Sequence, residues 1–308
     1  MKTLYFDCGM GAAGDMLTAA LLELLPDPDA FVAELNGLGI PGVEYVREKS
    51  VKCGITGTHI AVRVHGEEEG EHHHDHDHDH EHHHDHDHDH EHDHDHDHDH
   101  EHDHEHDHDH DHHHDHDHDH EHDHHHDHDH DHGHHHHHSG LHDIGHIVRD
   151  HLTVPDAVKE DIIAVYRLIA EAESAAHDMP VEEIHFHEVG TMDAIADVTA
   201  VCLLMHRLAP EKVVASPIHV GSGHVKCAHG ILPVPAPATA YLLKGIPMYG
   251  SGVSGELCTP TGAALLRHFV TDFGDMPVMR AEAIGYGMGK KDFTTANCVR
   301  AFWGESDE

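Results

Sequence analysis

The sequence is poor in positive charge. Lys and Arg together number 17 of 308 residues, against 60 Asp and Glu, and the formal net charge is −43. Contacts to nucleic-acid phosphates need clustered Lys and Arg, so nucleic acid is not an expected partner. No apolar run approaches the roughly 18 residues of a transmembrane helix, and we expect no membrane span. Cations are the natural partners of such a chain.

Cysteine is scarce and scattered. The six cysteines form no Cys-x-x-Cys pair, which excludes a zinc ribbon and a redox dithiol of the usual spacing. The N-terminus reaches Asp7 after three apolar residues, too few for the apolar core of a secretory signal. We therefore predict a reduced, cytoplasmic protein.

Histidine is the residue in excess. Between Glu67 and His138 the chain carries 40 of its 53 histidines and 30 of its 60 acidic residues, with no Lys or Arg. Such a tract buries too little apolar surface to offset the entropy of ordering, so we predict disorder. Neutral imidazole binds borderline divalent metals and prefers nickel to manganese, iron or cobalt. The tract should store or buffer metal, unless it is a neutral expansion of a codon repeat whose metal binding is incidental.

The other residues alternate strand-like and helix-like patterns. They predict an α/β fold, a mixed sheet with flanking helices, interrupted by the long disordered His/Asp-rich insert. The domain prediction is residues 1–66 for the first part of the core, 67–140 for the metal-binding insert and 141–308 for the remainder of the core.

Several elements can be placed from local patterns. The alternating segments Val43–Lys52 and Ile55–Val64, joined through Cys53-Gly54, predict a β-hairpin. Helices are predicted from Pro28 to Leu38, from Pro155 to Ala176, from Ile195 to Leu208 and at Ala240–Leu243, and a strand is predicted over Val213–Val220.

The stretch His185-Phe-His-Glu-Val-Gly190 is the strongest candidate for chemistry. If it is extended, its period of two points both imidazoles to one face, where a metal could bridge them. With Thr191 as N-cap, the acids four residues apart in the next helix share one side. The predicted catalytic residues are His185, His187, Glu188, Asp193 and Asp197, and the first three are predicted metal ligands. A strand end with two packed histidines and a capped helix is the alternative.

A second group of nitrogen donors surrounds a glycine hinge. His219, His224 and His229 flank Gly221-Ser-Gly223, and histidines in glycine-rich loops often carry function. We predict these three histidines as further metal ligands.

Three segments offer anion sites. The turn from Asp7 to Asp15 connects a strand to a helix and presents free N–H groups at a positive helix end. Gly9, Gly11 and Gly14 have G-x-G-x-x-G spacing, but Glu34, the nearest candidate for the ribose-binding acid about 20 residues on, lies in a predicted helix, so the dinucleotide fingerprint is not complete. A simple tight turn, with Asp15 as a first-turn acid, is the alternative.

The second anion segment is a helix start with Thr259 as N-cap and Pro260 at the first position. The third has glycine at alternate positions, Gly285 to Gly289, where a ligand or another backbone can approach closely, followed by Lys290. The predicted ligand-binding residues are Asp7, Gly14, Asp15, Gly221, Gly223, Thr259, Thr261 and Lys290.

These motifs resemble those of the LarC-type nickel-insertion proteins. The matching segments are Asp7-Cys-Gly with Gly14-Asp15-Met16, His185-Phe-His-Glu-Val-Gly190 with Asp193 and Asp197, the proline-rich run from His229 to Thr239, Glu256-Leu-Cys-Thr-Pro-Thr-Gly262, and Gly285-Tyr-Gly287. A histidine-rich insert at this place is also similar to the family.

The resemblance implies a nickel chelatase that inserts Ni²⁺ into pyridinium-3,5-bisthiocarboxylic acid mononucleotide. It implies CTP with Mg²⁺ or Mn²⁺, and delivery of the product to the lactate racemase apoprotein. Full-length relatives continue into a second domain associated with CTP, whereas this chain stops at Glu308, so we expect a C-terminal partner domain. Histidine and carboxylate would hold Ni²⁺ transiently, and Cys8 or Cys258 would assist the handover or be buried without a role. A nickel storage protein or metallochaperone is the alternative function.

Overall fold

The computed structural model describes residues 1–68, 140–184, 186, 189–227 and 229–307. These residues belong to one compact unit. The predicted disordered insert falls almost wholly outside them, so its disorder stays a prediction. The part before it extends two residues beyond the predicted boundary, because Glu67–Glu68 pairs as a strand with the preceding hairpin.

The described residues form a mixed α/β fold, as predicted. The strands are β1 Lys2–Asp7, β2 Val43–Lys52, β3 Ile55–Val64, β4 Glu67–Glu68, β5 Lys212–Ala215, β6 Ile218–His219, β7 Gly221–Ser222, β8 His224–Cys227, β9 Gly230–Pro233, β10 Met248–Tyr249, β11 Gly255–Glu256, β12 Asp272–Phe273, β13 Met279–Met288 and β14 Cys298–Ser306. The α-helices are α1 Gly14–Leu22, α2 Pro28–Asn36, α3 Leu141–His146, α4 Asp156–His177, α5 Met192–Leu208, α6 Pro237–Leu242 and α7 Pro260–Phe269.

The main sheet has the order β12-β5-β1-β14-β13-β3-β2, with β4 paired to β3. Strand β1 pairs parallel with β5 and antiparallel with β14, and β13 pairs antiparallel with β14 and parallel with β3. Helices α5 and α7 pack with each other and with both α1 and α4, and α1 also packs on β13, β14 and β3. A π-helical turn follows α3 and covers Ile147–His151.

Local signals placed most elements well. Strands β2 and β3 have the predicted bounds, and Cys53 and Gly54 adopt the positive φ values of a tight hairpin turn. Helix α7 begins as predicted, with the Thr259 hydroxyl accepting a hydrogen bond from the Gly262 N–H at 3.2 Å. Helix α2 ends at Asn36, two residues before its predicted end.

Proline explains two departures from the prediction. The predicted strand Val213–Val220 is two strands, β5 and β6, separated by Ser216-Pro217. Proline lacks the N–H that a continuous ladder would need, and β6 pairs instead with β10. The short helix predicted at Ala240–Leu243 begins at Pro237, a residue suited to the first turn of a helix.

Glycines on one face of β13 bring α1 unusually close to the sheet. A Cβ atom at Gly285 would overlap the Ala20 carbonyl oxygen, and one at Gly287 would overlap that of Met16. The approaching group is thus a backbone rather than a ligand, one of the two possibilities that alternating glycine allowed. Contact at this distance fixes the position of α1 on the sheet.

No helix among the described residues is long and apolar enough to cross a bilayer. All six cysteines lie in the described ranges and none forms a disulfide.

Replacing Gly287 with Ala should destabilise the fold. The added methyl overlaps backbone rather than a movable side chain, and overpacking of this kind costs about 1–3 kcal/mol or more. Urea unfolding measures the change. Gly274→Ala is the control, because a Cβ there meets nothing within 4 Å and should change the free energy of unfolding by less than about 0.5 kcal/mol. Equal stability of the two variants would contradict the account.

Candidate functional site

Three helix N-termini meet at one cavity of ≈ 350 Å³. Its wall includes the starts of α1 and α7 and the first turn of α5, together with residues of β3 and the loop after β13. The free N–H groups of a helix start, with the helix dipole, attract anions. A cavity at the junction of three such ends is suited to a ligand that carries negative charge.

The cavity unites predicted residues that are far apart in the chain. Those that line it are Gly14, Asp15, Asp193, Asp197, Thr259, Thr261 and Lys290. It therefore joins the glycine turn, the acids of α5, the capped start of α7 and the lysine after β13. His185, His187 and Glu188 lie outside the described residues, and their role as metal ligands stays a prediction.

Close backbone contacts hold these segments together. The Ala12 N–H donates to the Leu257 carbonyl at 3.1 Å, and the Thr259 N–H donates to the Ala12 carbonyl at 3.0 Å. A Cβ at Gly262 would overlap the Ala12 carbonyl, so α7 can begin here only with glycine at its third position. The starts of α1 and α7 are thus fixed side by side.

Asp197 lies against the start of α1. A Cβ at Gly14 would overlap the Asp197 carboxylate, so glycine is required for the acid to approach the helix. Helix α5 is anchored at this level by Tyr45, whose hydroxyl donates to the Ala196 carbonyl at 2.8 Å. The half-buried Asp193 lies one turn earlier on the same helix and also faces the cavity.

The cavity wall is rich in carboxylates. Asp15, Glu68, Asp193, Asp197 and Glu256 line it, with Lys290 and Lys291 as the basic residues. Burial raises the pKa of Asp15, and the Glu68 carboxylate acts in the same direction, whereas His59 and the Met16 N–H oppose the shift. Acids confined in this way lower their mutual repulsion by binding a cation.

Sequence reasoning missed a polar group at the cavity edge. The His59 Nδ1 lies 3.0 Å from the Met288 carbonyl and 4.0 Å from Asp15 Oδ2, while its Nε2 lies 3.5 Å from Glu68 Oε1. The Lys290 Nζ is 3.1 Å from the same Glu68 oxygen. No sequence motif includes His59, and two of its partners, Asp15 and Met288, are distant in the chain.

Asp7 does not reach the cavity, although the glycine turn begins with it. Its carboxylate accepts hydrogen bonds from the Gly9 N–H at 3.0 Å and from the Arg300 guanidinium, whose Nε is 2.9 Å away. The strand pairing of β1 with β14 sets Arg300 opposite Asp7, and a role of Asp7 in ligand binding stays a prediction.

The structure does not bring His219, His224 and His229 together. The buried His219 ring stacks on Tyr249, with Nδ1 3.1 Å from the Gly9 carbonyl and Nε2 2.9 Å from the Ser251 carbonyl. His224 is exposed on β8, and the exposed His229 ring lies 4.8 Å from that of His177.

In the part of the chain that the structure describes, no group of three or more His, Cys, Asp or Glu side chains is arranged to hold a metal ion. His219 is thus packed and His224 and His229 lie on the surface, and the role of the three as metal ligands stays a prediction. Gly221 and Gly223 are absent from the cavity wall as well. At Gly221 a Cβ would overlap the Gly255 carbonyl, and both glycines have positive φ, so they serve the turn itself.

Cys8 and Cys258 are both buried. Burial raises the pKa of Cys258 to about 12 and that of Cys8 well above its usual range. Both side chains are therefore thiols at neutral pH, and neither offers the thiolate that binds metal. Of the two roles considered for them, the packed thiol fits these surroundings.

Substituting Asp15 by Asn should change the pH dependence of stability. An acid whose pKa is raised by folding stabilises the protein fully below its unfolded pKa, near 3.8, and loses this contribution as pH rises through the folded pKa. Asparagine does not titrate, so the stability of the variant relative to the original protein should increase from about pH 4 towards neutrality. Urea unfolding across this range measures the difference.

Asp156→Asn is the control. It removes the same charge from an exposed first-turn acid of α4 and leaves the histidine-rich tract unchanged. A difference that stays constant with pH for Asp15→Asn would contradict the assignment of Asp15 as the confined acid.

Comparison with known proteins places this sequence in a family. The sequence model described as "Nickel insertion protein" matches residues 4–308. A pyridinium-3,5-bisthiocarboxylic acid mononucleotide nickel insertion protein of Desulfitobacterium hafniense strain DCB-2 is 36% identical over 305 residues, covering 99% of this chain and 59% of the relative. Proteins of the same name from Clostridium kluyveri and Staphylococcus epidermidis strain ATCC 12228 are 35% and 32% identical, covering 63% and 60% of those relatives and 100% and 99% of this chain.

This chain thus spans about three fifths of the length of these relatives. No solved structure matches it. The match to the family extends over both parts of the core that build the cavity, and on this evidence the chain belongs to the nickel insertion protein family.

Proposed function

We propose that this chain inserts Ni²⁺ into pyridinium-3,5-bisthiocarboxylic acid mononucleotide, acting in the cytoplasm as a nickel chelatase. The observation that carries the proposal is the composition of the ≈ 350 Å³ cavity, which combines three helix N-termini with a wall of carboxylates. An anionic ligand and a divalent cation must occupy one site for insertion to occur, and this cavity suits both. The names of the relatives supply the identity of the ligand.

The ligand phosphate would lie where the capped start of α7 approaches Lys290 and Lys291. The Thr259 and Gly262 N–H groups already have acceptors and Pro260 has no N–H, so the Thr261 N–H of this first turn would meet a phosphate oxygen, aided by the helix dipole and the two lysines. Helix α1 contributes a second positive end beside it. This arrangement would direct the pyridinium ring and its thiocarboxylates towards the acids of α5.

Nickel is the cargo of this reaction, and its ligands would be transient. Asp193 and Asp197 would hold it on the α5 side of the cavity, with His185, His187 and Glu188 supplied by the segment before that helix. Imidazole and carboxylate are harder donors than sulfur, so the metal would move to the two sulfur atoms of the ligand. Confined acids such as Asp15 would keep the cation in the cavity until transfer.

The CTP-dependent step, with Mg²⁺ or Mn²⁺, belongs to the whole family protein in this proposal. We assign it to a C-terminal domain that acts with this chain, because the relatives are longer than the region matched here. The lactate racemase apoprotein would receive the nickel-containing product. These partners are implied by the family resemblance.

An insertion assay tests the proposal directly. Purified chain is mixed with the pyridinium ligand, NiCl₂, CTP and Mg²⁺, with and without the C-terminal part of the Desulfitobacterium hafniense relative, and the nickel-bound product is measured by mass spectrometry. Asp193→Asn and His187→Ala should each lower the rate at least about tenfold, because each removes a ligand of the transferring metal. Asp29→Asn, an exposed first-turn acid of α2, is the matched control.

Full activity of His187→Ala would contradict the ligand assignment, and absence of product under every condition would contradict the proposed function. Storage of nickel is the second candidate, favoured by the 40 histidines between Glu67 and His138. Replacing residues 69–139 with a Gly/Ser linker separates the two in the same assay. An insertase retains activity when nickel is ample and loses it when nickel is limiting, whereas a store forms no product in either case.

A further inference from the structure

We propose that His59 and Glu68 form a two-donor landing site for Ni²⁺ at the edge of the cavity, where the metal leaves the histidine-rich tract. The inference deepens the proposed function and rests on it. Neither residue belongs to the motifs that carry the family resemblance. The two nitrogens of the His59 ring face different partners, the Met288 carbonyl and the Glu68 carboxylate.

The hydrogen bond at Nδ1 determines what the other ring nitrogen can do. The Met288 carbonyl only accepts hydrogen bonds, so the His59 Nδ1, 3.0 Å away, must carry the proton. In the neutral ring Nε2 then has a free lone pair. A histidine that donates through one nitrogen to a backbone carbonyl and offers the other to a metal is the usual arrangement of metal-binding histidine.

The distance from His59 to Glu68 fits two donors on one ion. A lone pair that faces a carboxylate oxygen is repelled unless a proton or a cation lies between them. The Nε2 to Oε1 distance is 3.5 Å, longer than the roughly 2.7–3.2 Å of an N–H···O hydrogen bond. Two donors bound at about 2.1 Å to the same metal lie roughly 3.0–3.4 Å apart, so a small shift would accommodate the ion.

The surrounding charges allow a cation to enter and also to leave. The Lys290 Nζ lies 3.1 Å from Glu68 Oε1, and Asp15 Oδ2 lies 4.0 Å from the His59 Nδ1. Nickel would displace the lysine from that oxygen, and the lysine would return when the metal moves on. Both donor side chains are mostly buried but reach solvent in part, with 12% of His59 and 19% of Glu68 exposed. Two protein donors, with water completing the coordination, suit a site of brief occupancy.

The place of the pair in the chain suggests its role. Glu68 ends β4, and the sequence continues within four residues into the histidine-rich tract. Covalent attachment keeps tract-bound nickel at high effective concentration beside this pair. Asp15 is next to His59, and Asp193 and Asp197 line the same cavity, so each transfer step would be short. The landing site thus connects a metal-collecting segment to the proposed insertion site.

Histidine footprinting of the full chain tests this inference without any insertion chemistry. Diethylpyrocarbonate modifies an accessible imidazole nitrogen, and a metal on Nε2 blocks the reaction. Trypsin releases residues 53–63, in which His59 is the only histidine, and residues 268–280, in which His268 is the only histidine. The tract is therefore read separately from both. The probe is NiCl₂ in excess over the tract histidines, with no pyridinium ligand and no CTP.

Nickel should slow modification of His59 at least about fivefold and leave His268 unchanged. His268 is the matched control because its Nε2 is already bonded to Asp161 at 2.9 Å. Glu68→Gln should abolish most of the protection, since an amide is a far weaker donor than a carboxylate, and an unchanged rate at His268 verifies that the variant is folded. Mg²⁺, which prefers oxygen ligands, should give no protection.

An unchanged His59 rate with nickel, or full protection in Glu68→Gln, would overturn the landing site. Failure of the insertion assay with His59 protection intact would overturn the proposed function alone, because nickel would still land where the pair is. Protection that is lost while insertion proceeds normally would instead remove only the landing site.

Discussion

The position of α1 depends on the absence of side chains at four contacts. Gly285 and Gly287 let the α1 backbone lie against β13. Gly262 lets α7 begin against the loop before α1, and Gly14 lets the Asp197 carboxylate reach the first turn of α1. A methyl group at any of these places would overlap backbone or carboxylate atoms. The cavity exists because three helix starts can meet at backbone distance, and its anion-attracting end is a consequence of that packing.

The same packing explains how several carboxylates can line one cavity without strong electrostatic destabilisation. Helix N-termini offset part of the repulsion among the carboxylates that line the cavity, and Lys290 and Lys291 after β13 offset a further part. The remaining negative charge raises the affinity for a divalent cation. This balance of charge supports the proposed function, which requires an anionic ligand and a metal to bind at one site.

Local sequence signals predicted the parts of the fold that depend on neighbouring residues. The hairpin of β2 and β3 follows from alternation and a Cys-Gly turn, and α7 follows from Thr259 and Pro260. The glycine face of β13 was predicted as a place of close approach, but only the tertiary structure identifies α1 as the partner. The break at Pro217 was missed because apolar residues continue on both sides of it.

Site residues were harder to predict because their partners are distant in sequence. Asp15, Asp193 and Thr261 were singled out from separate motifs, and the fold brings them to one cavity. Asp7 and His219 were predicted from motifs of equal strength. In the fold the Asp7 carboxylate pairs with Arg300, and the His219 ring nitrogens lie beside the Gly9 and Ser251 carbonyls. His59 belongs to no motif, and of its partners only Glu68 is near in sequence, whereas Asp15 and Met288 are distant.

In the proposed function, one cavity binds both the metal and the anion. Crystals of the full chain soaked with NiCl₂ and the pyridinium mononucleotide, measured at the nickel absorption edge, test it most directly. We expect an anomalous peak from nickel beside Asp193 and Asp197, with phosphate density at the start of α7. Nickel found only at exposed histidines such as His224 and His229, with neither metal nor phosphate in the cavity, would contradict it.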